Sequence, residues 1–124
     1  LQVIQRLLSE LRYECGGRLA WSVINFEDIR PLGAVPDDMN SLSDFIRSIR
    51  GVEVGISITQ MSGEKVDVSF RSKGKIPINT VAQFFGGGGH AFAAGCHVEG
   101  TLENAAESVV KKTLEAIKAW DGNV

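Results

Sequence analysis

Between Val52 and Arg71 the chain alternates apolar and polar residues twice, and this constrains the fold more than any other feature. Val52, Val54, Ile56 and Ile58 alternate with Glu53, Gly55, Ser57 and Thr59. After a turn at Ser62-Gly63, Val66, Val68 and Phe70 alternate with Asp67, Ser69 and Arg71. Strand side chains change face at every residue, so two such runs around a glycine turn predict a β-hairpin. One face of it is apolar and has to be covered; the other is polar and partly built from small residues.

The rest of the sequence supplies covers and further strands. Leu1, Ile4, Leu7, Leu8 and Leu11 fall at helical spacing up to Cys15-Gly16-Gly17. Leu19 to Phe26, with Trp21, Val23 and Ile24, reads as a buried strand, and Pro31, Gly33 and Pro36 mark Glu27 to Asn40 as a connection. Ser41 or Ser43 is expected to cap a helix carrying Leu42, Phe45, Ile46 and Ile49 that stops at Gly51. Ile76 to Phe85 predicts a short helix capped by Asn79 or Thr80, and Ala94 to Glu99 a strand. From Gly100-Thr101 a last helix carries Leu102, Ala105, Ala106, Val109, Val110, Leu114 and Ile117 as one stripe. Together these predict an α+β (or α/β) domain: a small mixed sheet of about four to five strands with helices packed against it.

Bulk properties narrow the function classes. At 124 residues the chain is one domain, able to bury about 65% of its unfolded surface. A net charge of −2 argues against a dedicated duplex-DNA binder. No apolar run approaches the ~20 residues of a membrane span, and no signal peptide is visible. Cys15 and Cys96 lack metal-type spacing and read as reduced thiols of a cytoplasmic protein, with a single bridge as the alternative. Asp28, Asp37 and Asp38 have no partners at metal-ligand spacing, and His97 reads as a structural or surface histidine. Trp21 is expected in the core and Trp120 beneath its helix. The chain opens in helical pattern at Leu1 without an initiator Met, which suggests a piece of a longer protein.

Two motifs carry chemistry. Gly86-Gly87-Gly88-Gly89-His90 concentrates glycine at an entropic cost that one turn does not require. Four successive backbone N–H groups free of side chains form a concave donor surface for an anion, with His90 as a further donor at its rim. A flexible turn with a surface histidine is the plain alternative. Walker A spacing fails because no Lys follows, and a dinucleotide fingerprint fails because Ala91 and Phe92 stand where its third glycine belongs. The second motif is Ser69-Phe70-Arg71-Ser72-Lys73. Alternation puts Ser69 and Arg71 on the polar face with Ser72 and Lys73 at the exit, an arrangement suited to phosphate or a base edge, although a lone strand-end Arg is more often a solvated charge.

With both motifs in view, the chain resembles the C-terminal DHH-associated domain of DHH-family phosphoesterases, which include RecJ-like exonucleases, oligoribonucleases (nanoRNases) and bisphosphate-nucleotide phosphatases. Gly87 to Gly95 matches Gly-Gly-Gly-His-x-x-Ala-Ala-Gly without a gap, Ser69-Phe70-Arg71-Ser72 matches the Ser-x-Arg-Ser pattern, and Phe45 to Ile56 resembles the lead-in to the hairpin. The likeness covers roughly Leu19 to Ile117. It implies that residues 1–16 end an interdomain linker helix and that 17–124 form the substrate-binding domain. It also implies that Arg71 and Ser72 contact phosphate or the terminal nucleotide, beside Ser69. The backbone of Gly86 to Gly89, with His90, would hold a phosphate, and Gly95 would permit close approach. The metal-binding Asp-His-His motif of the family's N-terminal lobe is absent from this chain. The resemblance therefore implies a lobe that binds without cleaving, with Mn2+ or Mg2+ held by an N-terminal lobe of the same chain and two-metal hydrolysis occurring between the two. Its partners would be short single-stranded nucleic acid or nucleotide phosphates: nanoRNA, 3′,5′-bisphosphonucleosides or cyclic dinucleotides.

Two other functions compete. One is a non-catalytic tRNA-binding module, like the related glycine-loop domain at the C-terminus of alanyl-tRNA synthetases, which predicts a basic face and steep salt dependence. The other is an interaction domain whose hairpin edge pairs with a second chain, including a homodimer of the full-length protein.

Overall fold

The computed structural model describes residues 2–63 and 65–123. In chain order the elements are α1 (Gln2–Ser9), β1 (Arg12–Glu14), β2 (Leu19–Asn25), α2 (Phe26–Ile29), α3 (Asp38–Ser48), β3 (Val54–Ser62), β4 (Lys65–Ser72), α4 (Asn79–Phe84), β5 (Gly88–His90), β6 (Ala93–Glu99) and α5 (Leu102–Gly122). Short 3-10 turns occupy Cys15–Gly17 and Arg30–Leu32. The strands form one six-stranded sheet in the order β1-β2-β3-β4-β6-β5. Only β2 and β3 run parallel, joined across one face by α2 and α3. The protein is therefore α+β, with one strand more than the sequence predicted at the upper limit.

The extra strands are the two three-residue edges. Arg12–Glu14 was expected to continue the first helix, but α1 ends at Ser9 and these residues pair antiparallel with β2. Positive φ at Cys15, Gly16 and Gly17 turns the chain back sharply enough to make that pairing. Leu1, the first position of the expected helical stripe, lies outside the described residues. At the other edge, Gly88–His90, a loop by its glycines, instead pairs with Ala93–Gly95.

Helix starts also moved. α3 begins at Asp38, three residues before Ser41, because the Pro36-Asp37-Asp38 turn starts it: the Asp38 carboxylate accepts from Val35 N–H at 2.8 Å. Ser43 is not a cap; it lies within the helix and donates to Asn40 O at 2.9 Å. The helix ends at Ser48, short of Gly51. α4 starts at Asn79 with Ile78 at its N-cap and no side-chain cap, so neither Asn79 nor Thr80 fills that role. Thr101 does cap α5, accepting from Asn104 N–H at 3.2 Å.

Helices cover both faces. Against one pack α4 and α5, which bury Leu19, Trp21, Val54, Ile56, Ile58, Val66, Val68 and Phe70 with Val109 and Ile117, and Trp120 packs on the same cluster. Fully buried side chains of this size contribute about 1.5–3 kcal/mol each. At 21 residues α5 is about 31 Å long, enough to cross the sheet. The other face carries Ala20 and Ile24, covered by Ile4 and Leu7 of α1, Phe26 of α2, and Leu42 and Ile46 of α3. This cover ends where α3 meets β4, so the outer part of that face, on β4, β6 and β5, lies beside α3.

Candidate functional site

Residues directly opposite one another in a sheet point to the same side. The register therefore sorts the polar face into three rows. Gly55, Arg71, Ala93 and His90 form one. Ser57, Ser69, Gly95 and Gly88 form the next. Thr59, Asp67 and His97 form the third. Arg71 and His90, 19 positions apart in sequence, thus face the same side with one alanine between them. The middle row contains only serine and glycine, so it forms a trough.

α3 forms one wall of the trough. Asn40, Asp44 and Arg47 follow i, i+4, i+7 spacing, a polar stripe beside the buried Met39, Leu42 and Ile46. The helix lies close because β3 carries Gly55: a Cβ there would come within 2.8 Å of Ile46 Cγ2 and 2.9 Å of Arg47 N. Asp44 Oδ1 consequently accepts from Arg71 Nε at 3.0 Å and from Arg47 at 3.1 Å. Arg71 also donates through Nη1 to Phe70 O at 2.9 Å. Two guanidinium groups share one carboxylate, so this end of the trough keeps net positive charge and an arginine oriented from both sides.

At the opposite end, His97 Nδ1 lies 2.6 Å from Asp67 Oδ1. A carboxylate there accepts from Nδ1–H, and Nε2 has no hydrogen-bond partner among the described residues. Ser69 donates to Asn40 Oδ1 at 3.3 Å, closing the wall between helix and sheet. Asn40, Asp67, Ser69, Gly86, Gly87, Gly95 and His97 line a cleft of about 360 Å3. A second cleft, of about 400 Å3, shares Asn40, Asp67 and Ser69 and runs on to Thr59 and Met61. Burial pushes the Cys96 thiol under the first cleft up to about 11, so it stays protonated there.

The glycine loop departs from the expected nest. Gly86 N–H donates to Gln83 O at 2.9 Å and Gly87 N–H to Ala82 O at 2.8 Å, so both terminate α4. Gly88 to His90 form an extended strand rather than a concave turn. Three of the four glycines answer demands of the fold. Gly86 has φ +85, and a Cβ on Gly87 would lie 2.1 Å from Gly95 O. Gly89 combines φ +139 with Ala94 Cα at 2.7 Å from a would-be Cβ. Gly88 is different: it needs no positive φ, and a Cβ would meet nothing within 4 Å.

Of the residues singled out in the sequence, Ser69, Gly86, Gly87 and Gly95 line the cleft, while Arg71 and His90 stand in the neighbouring row and Gly88 borders the trough. Gly89 pairs with Ala94, in the row that faces the core. Ser72 does not join them. It alternates with Arg71 and is 3% exposed, its hydroxyl on the core side without a partner among the described residues. Asn40, Asp44, Arg47, Asp67 and His97 were not anticipated as a group. Their signals were present in the helical spacing of the α3 residues and in His97 sharing strand parity with Gly95.

Among the described residues no three His, Cys, Asp or Glu side chains gather as metal ligands, and no helix is long and apolar enough to cross a membrane. The site sets donors and acceptors around a cleft on one face of an α+β domain. The DHHA1 domain family matches residues 16–120, and the chain belongs to that family. It is similar to the bifunctional oligoribonuclease and PAP phosphatase NrnA of Thermus thermophilus, with 29% identity over 117 residues, 94% of this chain and 34% of that protein. An exopolyphosphatase-related protein from Bacteroides fragilis superposes with a TM-score of 0.78 at 25% identity, over 96% of this chain and 34% of that one. The chain thus spans about a third of the length of both. The C-Ala domain of Aquifex aeolicus alanyl-tRNA synthetase shares the fold, with a TM-score of 0.52 at 19% identity over 82% of this chain and 85% of that domain.

Proposed function

We propose that this chain is the substrate-binding lobe of a phosphoesterase acting on short oligonucleotides or nucleotide phosphates, with Arg71 and His90 as the phosphate-holding side chains. The observation that carries the reading is the row Arg71, Ala93, His90: two donor side chains from distant motifs stand in one row, on the same side of the sheet as the cleft. Arg47 extends the basic end. Gly88 keeps the adjacent row bare so that a phosphate can approach the sheet. The catalytic metals, Mn2+ or Mg2+, belong in this reading to an N-terminal lobe of the full protein, with α1 leading towards it. This chain's part is to orient the ligand and neutralise its charge. The two free thiols suit a cytoplasmic protein. The relative named as an oligoribonuclease and PAP phosphatase supports oligonucleotides and nucleotide phosphates as the substrate class.

The test is titration of the isotope-labelled chain with a dinucleotide or adenosine 3′,5′-bisphosphate while amide resonances are followed. Shifts at Gly88, His90 and Arg71, and at least tenfold weaker binding by Arg71→Ala, are expected. Silence at these amides at millimolar ligand would sink the reading.

A further inference from the structure

Resting on that reading, the geometry points to a second subsite for the uncharged part of the ligand: Asp67 and His97 bind a nucleoside by its hydrogen-bond donors. The two ends of the trough differ in charge. At the Arg71 end, two guanidinium groups share the single Asp44 carboxylate, with His90 in the same row. At the other end, Asp67 bonds to His97, and Asp37 accepts from Asn40 Nδ2 at 3.4 Å. Carboxylates repel a phosphate, so a nucleotide lying along the trough places its phosphate at Arg71 and its neutral part at Asp67. Arg71 and Asp67 are four residues apart on β4, about 13 Å at the rise of a strand. Measured along the backbone, this leaves room for a nucleotide whose phosphate meets Arg71 and whose sugar or base meets Asp67. Between them the sheet itself carries only the serine–glycine row, with Asn40 of α3 bonded to Ser69 along one side.

With a neutral imidazole donating from Nδ1 to Asp67 Oδ1 at 2.6 Å, His97 Nε2 and Asp67 Oδ2 are the acceptors this end offers to an incoming ligand. Both residues are substantially exposed and line the glycine-walled cleft. Two neighbouring acceptors match two neighbouring neutral donors. Those occur as the vicinal hydroxyls of ribose or as the imino and amino N–H groups of guanine, and binding measurements distinguish the two.

The experiment measures binding of GMP, dGMP, IMP and inorganic phosphate by wild type, Asp67→Asn, His97→Ala and Arg71→Ala. Thermal melting verifies that each variant is folded. Asp67→Asn and His97→Ala are expected to weaken GMP binding about tenfold and leave inorganic phosphate unchanged. A wild-type preference for GMP over dGMP that Asp67→Asn abolishes assigns the ribose; a preference over IMP that is abolished assigns the base. If both variants bind GMP as wild type does while Arg71→Ala loses it, the nucleoside subsite is overturned and the phosphate reading stands. If Arg71→Ala keeps full affinity, the phosphate reading fails, and the Asp67 and His97 variants alone decide the subsite. Absence of any nucleotide binding by wild type overturns both.

Discussion

Gly87 and Gly88 are chemically identical neighbours with opposite reasons for being glycine. A methyl group on Gly87 would collide with the carbonyl of Gly95, and backbone cannot yield as a flexible side chain does. Gly87→Ala should therefore cost at least the roughly 1–3 kcal/mol typical of overpacking, visible as a lower melting temperature. Gly88→Ala fills open space without strain, so stability should stay within about 0.5 kcal/mol while nucleotide affinity falls. Cys15 and Cys96 make a second contrast. Cys15 is exposed and should react with a thiol reagent in the native state; Cys96 is buried and should react only on unfolding. Burial raises the Cys96 pKa from 9.0 to about 11. The unfolded thiol ionises at lower pH than the folded one. Its contribution to stability is full below about pH 9 and declines as pH rises through 11, which alkaline denaturation of wild type against Cys96→Ala would reveal.

Among the elements, α3 decides the shape of the site. It carries Asn40, Asp44 and Arg47, and it reaches the sheet only because Gly55 lacks a side chain. Gly55→Ala should push the helix outward, destabilise the domain by roughly 1–3 kcal/mol, and weaken nucleotide binding although residue 55 touches no ligand. Calorimetry paired with a binding titration would report both effects. At the far end of α5, Arg18 grips Asp121 with two bonds of 2.9 and 2.8 Å and also donates to Glu53. Those bonds from Arg18 hold the Asp121 carboxyl below its ordinary 3.8. A depressed carboxyl stabilises above its unfolded pKa and loses that contribution as pH falls through the lower folded value. The last turn of α5 should accordingly stay protected at pH 4 and loosen in stronger acid, whereas Arg18→Ala should loosen it at neutral pH. Amide exchange at residues 118–122 measures this directly.

For the whole molecule, charge is a matter of distribution. The net value of −2 conceals a trough that is basic at Arg71 and acidic at Asp67. A dinucleotide whose phosphates meet only the basic end should bind with a shallow salt dependence, because it has few phosphates and releases few counterions. A tRNA-binding surface would show a much steeper slope and prefer tRNA to dinucleotides. Titrations of both ligands at two salt concentrations separate these readings, although the fold is shared with a synthetase domain.

The sequence alone determined the hairpin, the α5 stripe, the class of fold and the two motifs, because each is written in local periodicity or in a short run of residues. It also carried the family, since Gly87 to Gly95 and Ser69 to Ser72 are contiguous. The edge strands were not legible. Three residues are too few to show a period, and β1 and β5 are strands only because β2 and β6 lie beside them. Nor was the use of the glycines, since whether an N–H is free depends on whether α4 ends against it. Ser72 looked like a neighbour of Arg71 and is turned to the core by strand parity once the register is set. The trough itself was decided by tertiary structure. Gly55 admits α3, α3 brings Asp44 and Arg47 to Arg71, and pairing across three strands aligns His90 with Arg71 and His97 with Asp67. Such juxtapositions depend on register between distant segments, and that is fixed only when the apolar face of the sheet is buried.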